Sequence, residues 1–281
     1  MTSVAECVAQ YETLVDVSDS AKRDVEILLC HCLKKSSSYL LAWPDADVSG
    51  AVFEHFQTLL KRRKQGEPIA YLVGEKGFWT LDLLVSPATL IPRPETELLV
   101  EAILELYSDQ DAKSILDLGT GTGAIALALA SENPQWKILG CDVEMPAIDL
   151  ANANRQRLLP DSKNVSFAKS DWFDDIKPQA FDLIVSNPPY IDPKDPHLLS
   201  GDVRFEPASA LVSQNEGLFD IQKIILRAPD FLTSSGWLLF EHGYNQAASV
   251  RQFLVAGGFQ NVFTRQDLNG LDRISGGHLG I

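Results

Sequence analysis

The chain has 281 residues, of which 45% are hydrophobic and 22% are charged, a composition typical of a globular protein with one large domain or with one medium and one small domain. The formal net charge of −14 argues against sequence-independent binding to nucleic acid, which requires clustered lysines and arginines. The apolar runs are shorter than the ~18 residues that a membrane span needs, so we expect no membrane association.

The N-terminal stretch MTSVAECVAQYE has no basic start followed by an apolar block, so we expect no signal peptide and a cytoplasmic location. The four cysteines form no C-x-x-C pair and the five histidines form no H-x-x-x-H pattern. We therefore expect reduced, buried thiols and no metal site. No motif reports the oligomeric state, and a monomer is the simplest expectation.

The first 74 residues carry a helical pattern. Apolar side chains recur at i, i+3, i+4 and i+7 over residues 25–32, and the pattern repeats over residues 52–60. We predict a small helical bundle with a thin core. The basic run KRRK at residues 61–64 ends the second stripe, where it complements the helix dipole.

Residues 75–92 change character. Aromatic and β-branched residues alternate loosely and are interrupted by Pro87 and Pro92, which predicts a β-hairpin linker. Pro94, followed by the carboxylates of Glu95 and Glu97, then opens a helix.

Strand and helix patterns alternate from residue 114 onward. Predicted strands cover residues 115–118, 136–141, 165–167, 181–186, 237–240 and 261–264, and predicted helices cover residues 124–130, 146–158, 218–226 and 246–256. This order predicts a mainly parallel sheet with helices on both faces. Ligands of such sheets bind beyond the carboxyl ends of the strands. The residues at those ends are Gly119 to Gly123, Asp142, Asp171, Trp172, Asn187 to Tyr190, Glu241 and His242.

The stretch DLGTGTG at residues 117–123 joins a strand to a helix, and its glycines allow a tight turn that approaches a ligand closely. Asp142 ends the next strand 19 residues after Gly123, where a carboxylate can bind both ribose hydroxyls. NAD and S-adenosylmethionine both contain such a ribose. The loop lacks the G-x-x-G tail of a pyrophosphate site, and Asp117 suits a cationic amino acid, which favours S-adenosylmethionine. Bracing of the loop is the other role open to Asp117.

Asp171 and Trp172 follow the third strand. They can supply an acceptor and an apolar face for adenine, and a tryptophan packed in the core is an equal alternative.

The stretch VSNPPYI at residues 185–191 ends a buried strand with two prolines. Because a residue before proline is held extended and proline lacks an N–H, the turn is stiff and poor in donors. Its free groups are the Asn187 side-chain oxygen and the Pro188 carbonyl, which suit a nitrogen that carries two N–H groups. Such a nitrogen occurs in carboxamides and in the exocyclic amines of bases. Although a plain turn is the alternative, the neighbouring methyl-donor site favours N-methylation.

Five segments together resemble a known family. They are FWTLDLLVSPATLIPRPETELLVE, ILDLGTGTGAIALALA, CDVEMPAIDLANAN, FDLIVSNPPYI and GWLLFEHGYNQAASVRQFLVAGGF, beginning at residues 78, 115, 141, 181 and 236. N-P-P-Y alone is shared by amino methyltransferases that act on adenine, cytosine or glutamine, whereas its combination with LIPRPETE is more specific. The chain thus resembles the release factor glutamine methyltransferases, the PrmC/HemK family.

The resemblance implies an α/β fold, with a Rossmann-like class I methyltransferase sheet in residues 93–281. It also implies a helical substrate-recognition domain in residues 1–74 and the hairpin linker in residues 75–92. The cofactor would be S-adenosylmethionine. The substrate would be the glutamine in the Gly-Gly-Gln motif of peptide chain release factors. The ending RISGGHLGI departs from the pattern, because a more regular last strand is expected there.

The resemblance also assigns the site residues. The cofactor's methionine end would be held by Gly119, Thr120, Gly121, Thr122 and Gly123. Asp142 would bind the ribose and Trp172 would lie by the adenine. The catalytic residues would be Asn187, Pro188 and Tyr190; Asn187 would touch cofactor and substrate, while Pro188, Pro189 and Tyr190 would complete the glutamine pocket.

Two other functions are compatible with parts of the sequence. A nucleic-acid amino methyltransferase shares the turn and the cofactor, but the net charge opposes it. A non-catalytic nucleotide-binding module shares the fold, but the intact Asn187 opposes it. The sequence does not indicate which release factor is preferred, whether other Gly-Gly-Gln proteins are substrates, or where the departing proton goes.

Overall fold

The computed structural model describes residues 2–108 and 111–280. The predicted start of the first domain, residue 1, and the predicted end of the last, residue 281, lie outside the described residues. The chain divides into two compact units. The helical unit holds the residues up to Glu75 together with Leu199–Phe205, and the sheet unit holds Lys76–Leu198 together with the residues from Glu206 onward.

The helical unit is built from short elements. These are β1 (Thr2–Ser3), α1 (Val4–Val8), a 3-10 helix (Ala9–Leu14), α2 (Ala21–Leu33), α3 (Ser37–Ala42), β2 (Asp47–Val48), α4 (Gly50–Lys64) and α5 (Ile69–Val73). β1 and β2 pair antiparallel. The two apolar stripes lie on α2 and α4, where Val25, Leu28, Phe56 and Leu60 are buried in one core. The helical pattern in the sequence therefore marked the surfaces that pack together.

Arg63, near the end of α4, does more than complement the helix dipole. Its side chain is only 8% exposed, and its Nε donates to Asp24 Oδ2 on α2 at 2.8 Å. Its Nη1 donates to Asp202 Oδ1 at 3.0 Å and to the carbonyl of Glu67 at 3.1 Å. The sequence did not indicate that Leu199–Phe205 belongs with the helical unit, because the partners of this ion pair are up to 139 residues apart.

The expected hairpin is present. β3 (Glu75–Phe78) and β4 (Leu81–Leu84) form a two-stranded sheet. Phe78 and Leu83 are buried in the core of the sheet unit.

A seven-stranded sheet forms the centre of the sheet unit. Its strands are β5 (Ser114–Leu118), β6 (Lys137–Asp142), β7 (Val165–Lys169), β8 (Phe181–Ser186), β9 (Leu232–Glu241), β10 (Phe259–Gln266) and β11 (Asp272–Leu279). The spatial order is β10-β11-β9-β8-β5-β6-β7. β5 to β9 run parallel, and β11 runs antiparallel to both β9 and β10.

Helices cover both faces of this sheet. They are α6 (Glu97–Leu106), α7 (Ala124–Glu132), α8 (Met145–Leu158), α9 (Gln214–Gly217), α10 (Phe219–Arg227) and α11 (Ala247–Ala256). The sheet unit also has 3-10 turns at Pro94–Thr96, Ala208–Ala210 and Ala228–Phe231. Two further 3-10 turns are Pro196–Leu199, at the boundary between the units, and Asp202–Phe205, in the segment that belongs to the helical unit. Alternate residues of β5 enter different cores, since Ile115 packs in one cluster and Leu116 in the other. The predicted α/β fold with a mainly parallel sheet is confirmed. None of the helices among residues 2–108 and 111–280 is long and apolar enough to span a membrane.

The last strand is more regular than its sequence suggested. Residues 272–279 form β11, which pairs with β9 and β10. A Cβ added at Gly276 would lie 2.9 Å from Leu239 Cγ, and one added at Gly277 would lie 2.9 Å from Phe259 Cβ. These glycines allow close packing inside the sheet but lower strand propensity, so the sequence of residues 272–279 did not predict a regular strand.

Candidate active site

A cavity of about 320 Å³ lies at the carboxyl ends of the parallel strands. Of the expected site residues, it is lined by Gly119, Thr120, Gly121, Thr122, Asp142, Trp172, Asn187 and Pro189. Gly123, Pro188 and Tyr190 are not among its lining residues. The volume is that of a small-molecule site, so the structure brings most of the expected residues around one ligand-sized space.

The glycine loop after β5 takes a conformation that favours glycine. Gly119, Gly121 and Gly123 have φ of +71°, +54° and +83°. The Thr120 N–H donates to the Cys141 carbonyl at 2.9 Å, and the Gly121 N–H donates to Asp142 Oδ2 at 3.0 Å. The loop is therefore tied to the end of the neighbouring strand β6.

Asp117, on the strand β5 that precedes the loop, braces it through a hydrogen bond. Its Oδ2 accepts a hydrogen bond from Thr120 Oγ1 at 2.6 Å, its side chain is 1% exposed, and it does not line the cavity. Burial raises the pKa of Asp117 to about 7, although the bond from Thr120 opposes this shift. Of the two roles that the sequence left open, the contacts support bracing.

Asp142 faces the cavity from the end of β6. Its Oδ2 accepts from Gly121 N and its Oδ1 accepts from the Glu144 N–H at 3.0 Å. Burial raises the pKa of this carboxyl above its ordinary value. Because each carboxylate oxygen can accept more than one hydrogen bond, both retain capacity for hydroxyl groups.

Asn154, for which the sequence predicted no role, holds the far side of the glycine loop. Its side chain is fully buried, and its Nδ2 donates to the carbonyls of Thr122 at 2.9 Å and Leu84 at 3.0 Å. Its Oδ1 accepts from the Leu84 N–H at 2.7 Å. One feature of the sequence could have identified Asn154: it continues the apolar stripe of α8 after Ala147 and Ala151. A polar residue on a buried helix face requires hydrogen-bond partners.

Trp172 joins the core and the cavity. It has a φ of +51°, unusual for a residue other than glycine, and its ring packs against the core of the sheet unit while lining the cavity. A Cβ added at Gly119 would lie 3.6 Å from Trp172 Cζ3, so the ring stands beside the loop. Asp171 forms an ion pair with Lys223 at 2.9 Å. The contacts show Trp172 packed against the core, and the predicted contact with adenine stays a prediction for the part of its ring that lines the cavity.

The side chains of the Asn-Pro-Pro-Tyr turn are held by a buried carboxylate. Asn187 Nδ2 donates to Thr96 Oγ1 at 3.2 Å, and Thr96 Oγ1 donates to Glu241 Oε2 at 2.6 Å. The Tyr190 hydroxyl donates to Glu241 Oε1 at 3.0 Å. Burial, followed by the charge of Glu241, raises the pKa of Tyr190, so the phenol stays a proton donor. The sequence placed Glu241 at a strand end without giving it a role, and it did not single out Thr96.

The backbone of the same turn is held from another side. Gln246 Nε2 donates to the carbonyls of Tyr190 at 2.9 Å and Glu216 at 3.0 Å. Asn215, Glu216 and Gly217 have φ of +56°, +57° and +80°, which places three successive residues in the left-handed region. A Cβ added at Gly217 would lie 2.0 Å from the Tyr190 carbonyl oxygen, so only glycine fits there.

Comparison with known proteins decides the family. The family model "PrmC N-terminal domain" matches residues 8–74, and the model "Methyltransferase small domain" matches residues 94–219. The release factor glutamine methyltransferase of Vibrio cholerae is 52% identical over 92% of this chain and 90% of its own length. The chain belongs to the release factor glutamine methyltransferase family. Family members from Pseudomonas aeruginosa and Escherichia coli are 50% and 47% identical, covering 98% and 93% of this chain and the same shares of their own.

Solved structures agree with the fold. A methyltransferase from Pyrococcus furiosus has a TM-score of 0.55 at 20% identity, covering 80% of this chain and 98% of its own. A SAM-dependent methyltransferase from Agrobacterium tumefaciens has a TM-score of 0.51 at 14% identity, covering 73% and 69%. At these identities the likeness concerns the fold alone.

Family membership makes the protein a methyltransferase that depends on S-adenosylmethionine, as the sequence predicted. The cavity fits this cofactor. It combines a glycine-rich loop, an aromatic ring and a carboxylate with free acceptor capacity around about 320 Å³.

Proposed function

We propose that the enzyme transfers a methyl group from S-adenosylmethionine to the side-chain amide nitrogen of the glutamine in the Gly-Gly-Gln motif of peptide chain release factors. The observation that carries this proposal is the shared cavity, because Asn187 and Pro189 line the same space as the glycine loop. An acceptor-rich turn beside a methyl-donor loop suits a nitrogen with two N–H groups. The relatives that span this chain are named for release factors and glutamine.

The cofactor would be held by residues that line the cavity. The loop from Gly119 to Gly123 would take its methionine end, Asp142 its ribose hydroxyls and Trp172 its adenine. When bound, it supplies an electrophilic methyl group.

The turn would prepare the glutamine amide for attack. A carboxamide nitrogen is a poor nucleophile because its lone pair is delocalised into the carbonyl. Asn187 Oδ1 and the Pro188 carbonyl would each accept one N–H, which fixes the direction of the lone pair. Orientation of this kind can contribute several kcal/mol, roughly 7–11 in the best intramolecular cases. Acceptors placed in advance also stabilise the positive charge that develops on the nitrogen.

Tyr190 and Pro189 would shape the glutamine pocket. The Tyr190 hydroxyl is bound to Glu241, so its ring has a fixed place from which to exclude water. Neither Asn187 nor Pro188 is a base, so the proton would leave after methylation has made the nitrogen acidic.

The helical unit would recognise the body of the release factor. Leu41 and Trp43 are 82% and 62% exposed near the end of α3, and exposed tryptophans are frequent anchors of protein interfaces. Replacing both, as Leu41→Ser with Trp43→Ala, should raise the KM for a full-length release factor by about 10-fold or more. The KM for a short Gly-Gly-Gln peptide should not change.

A matched control for this experiment is Leu226→Ser, which removes a 76% exposed leucine of α10 in the sheet unit. It should leave both KM values unchanged. An equal KM for the full-length factor before and after the double substitution would remove these residues from recognition.

A nucleic-acid amino methyltransferase is the less favoured alternative, given the names of the relatives and the net charge of −14. We propose that the enzyme binds no nucleic acid directly, that it is a monomer and that it acts in the cytoplasm, where release factors work. Light scattering of the purified protein tests the oligomeric state.

Mass spectrometry of the Gly-Gly-Gln peptide tests the central proposal. After incubation of a release factor with the enzyme and cofactor, the glutamine should gain one methyl group, while DNA and RNA oligonucleotides should gain none. Methylated oligonucleotides beside an unmodified factor would reverse the assignment.

A further inference from the structure

Glu241, the last residue of β9, links two residues of the Asn-Pro-Pro-Tyr turn through its two oxygens. Its Oε2 accepts from Thr96 Oγ1 at 2.6 Å and its Oε1 accepts from the Tyr190 hydroxyl at 3.0 Å. The side chain is only 1% exposed. A buried carboxylate needs partners, and here the partners are one site residue and the neighbour of another.

The position of one proton decides which end of the Asn187 amide lies at Thr96. A threonine hydroxyl carries a single proton, and in Thr96 this proton is given to Glu241. Thr96 Oγ1 can therefore only accept from Asn187, which requires the NH2 end of the amide to lie at Thr96. This is the contact observed, at 3.2 Å. The Asn187 oxygen is left for the cavity that this residue lines.

We infer that Glu241 and Thr96 are positioning residues for methyl transfer. Glu241 directs the Thr96 proton, the Thr96 oxygen then holds the Asn187 NH2, and Asn187 presents its oxygen to the N–H of the substrate amide. The same carboxylate fixes the Tyr190 ring. This inference rests on the proposed function, since it assumes a substrate nitrogen that donates to Asn187.

The alternative arrangement shows what Glu241 prevents. A glutamine at position 241 brings an NH2 group that can donate to Thr96 Oγ1. The Thr96 proton is then released toward Asn187, whose amide turns over to accept it. The cavity would now receive the Asn187 NH2, which repels the N–H groups of a carboxamide. Thr96 lines the cavity, but the hydrogen bonds that tie the glycine loop to the end of β6 involve neither Glu241 nor Thr96.

Single-turnover methylation of a release factor by four variants tests the inference. Glu241→Gln and Thr96→Val should each lower the rate at saturating substrate by about 10- to 100-fold, the usual effect of disturbing the partner of a site residue. Cofactor affinity, measured by calorimetry, should stay within about twofold. Thr96→Ser keeps the hydroxyl and should keep most of the rate.

The fourth variant, Asp182→Asn, is the matched control. It also turns a carboxylate into an amide, near the opposite end of the adjacent strand β8, where Asp182 Oδ2 accepts from the Ser114 N–H at 2.8 Å. Its rate should equal that of the parent. Thermal unfolding of each variant separates loss of fold from loss of rate, and the Thr96 pair decides the question if Glu241→Gln is unfolded.

A Glu241→Gln enzyme within about twofold of the parental rate would overturn the inference. So would a Thr96→Ser enzyme as slow as Thr96→Val, or a parallel loss of cofactor affinity. A parent enzyme that leaves the release factor unmethylated would overturn the proposed function instead.

Discussion

The turns that follow β5 and β8 lie side by side, because these strands are parallel neighbours, yet they are built by opposite means. The turn after β5 uses three glycines with positive φ, which give the backbone unusual freedom. The turn after β8 uses Pro188 and Pro189, which remove freedom and hydrogen-bond donors. One turn lets a ligand approach the backbone, whereas the other presents fixed acceptors.

The two turns also differ in what holds them. Thr120 of the glycine loop bonds to Asp117, three residues away, and Gly121 bonds to Asp142, 21 residues away. The Asn-Pro-Pro-Tyr turn is held by Thr96, which is 91 residues from Asn187. It follows that the loop is specified largely by nearby sequence, whereas the alignment of the second turn depends on tertiary structure. A substitution in one turn should therefore impair the function of that turn and leave the function of the other intact.

The largest difference between the loss of methylation rate and the loss of cofactor affinity is expected for Asn187→Ala. Because Pro188 keeps the backbone extended, the fold should survive, while the acceptor that orients the substrate nitrogen is lost. We expect the single-turnover rate to fall about 100-fold or more, the usual loss for one preset polar partner. Cofactor affinity measured by calorimetry should change much less. A near-parental rate would reduce the turn to a structural element.

Asn187→Asp sharpens this result. As an acceptor alone, a carboxylate at position 187 could still hold the N–H groups of the substrate amide. The structure now predicts failure, because aspartate cannot donate to Thr96 Oγ1, whose proton is committed to Glu241. A rate well above that of Asn187→Ala would contradict the proton arrangement inferred for Thr96.

Asp142→Ala should have the opposite effect, a large loss of cofactor affinity with a smaller loss of rate, because Asp142 belongs to the proposed cofactor site. Hydrogen bonds to a charged group contribute roughly 1.5–3 kcal/mol, so cofactor affinity should fall about 10- to 100-fold. The rate at saturating cofactor should be affected less. Unchanged affinity by titration calorimetry would remove Asp142 from the ribose site.

A pair of glycines tests the support of the substrate turn. Gly217 and Gly258 have φ of +80° and +87°, so alanine is strained at both. A Cβ at Gly217 would lie 2.0 Å from the Tyr190 carbonyl oxygen, whereas one at Gly258 would meet no atom within 4 Å. Gly217→Ala should lower the methylation rate about 10-fold or more by moving the turn, and Gly258→Ala should only lower stability. Equal rates for both variants would show that the packing against Tyr190 does not matter.

The same contrast explains what the sequence could predict. The sequence could propose the glycine loop and Asp142 as site residues because their partners are local and their residue types are diagnostic, and they line one cavity. Thr96 was missed because its neighbours in sequence suggested only the start of a helix, and nothing there indicates a bond to Glu241, 145 residues away. Glu241 was noticed as a strand end, but its role depends on which turns the sheet brings beside it.

Other features were hidden for related reasons. The strand β11 contains Gly276 and Gly277, whose value lies in close packing rather than in strand propensity. The segment Leu199–Phe205 belongs to the helical unit, where Asp202 accepts a hydrogen bond from Arg63, and no local sequence pattern predicts this contact. The positions of most strands and helices of the sheet unit along the chain, in contrast, follow from periodicity and were predicted, although β9 begins five residues before the predicted strand.

The smallest expected effect concerns Asp117, which braces the glycine loop. Burial raises its pKa from the ordinary value of 3.8 to about 7, so the folded protein binds a proton more tightly there than the unfolded chain does. The stabilising contribution is therefore complete below about pH 4 and is lost as the pH rises through about 7. Asp117→Asn removes this titration while keeping an oxygen to accept from Thr120. The difference in melting temperature, variant minus parent, should increase as the pH is raised from 4 to 8. A difference that is constant over this range would show that Asp117 is not held protonated in the fold.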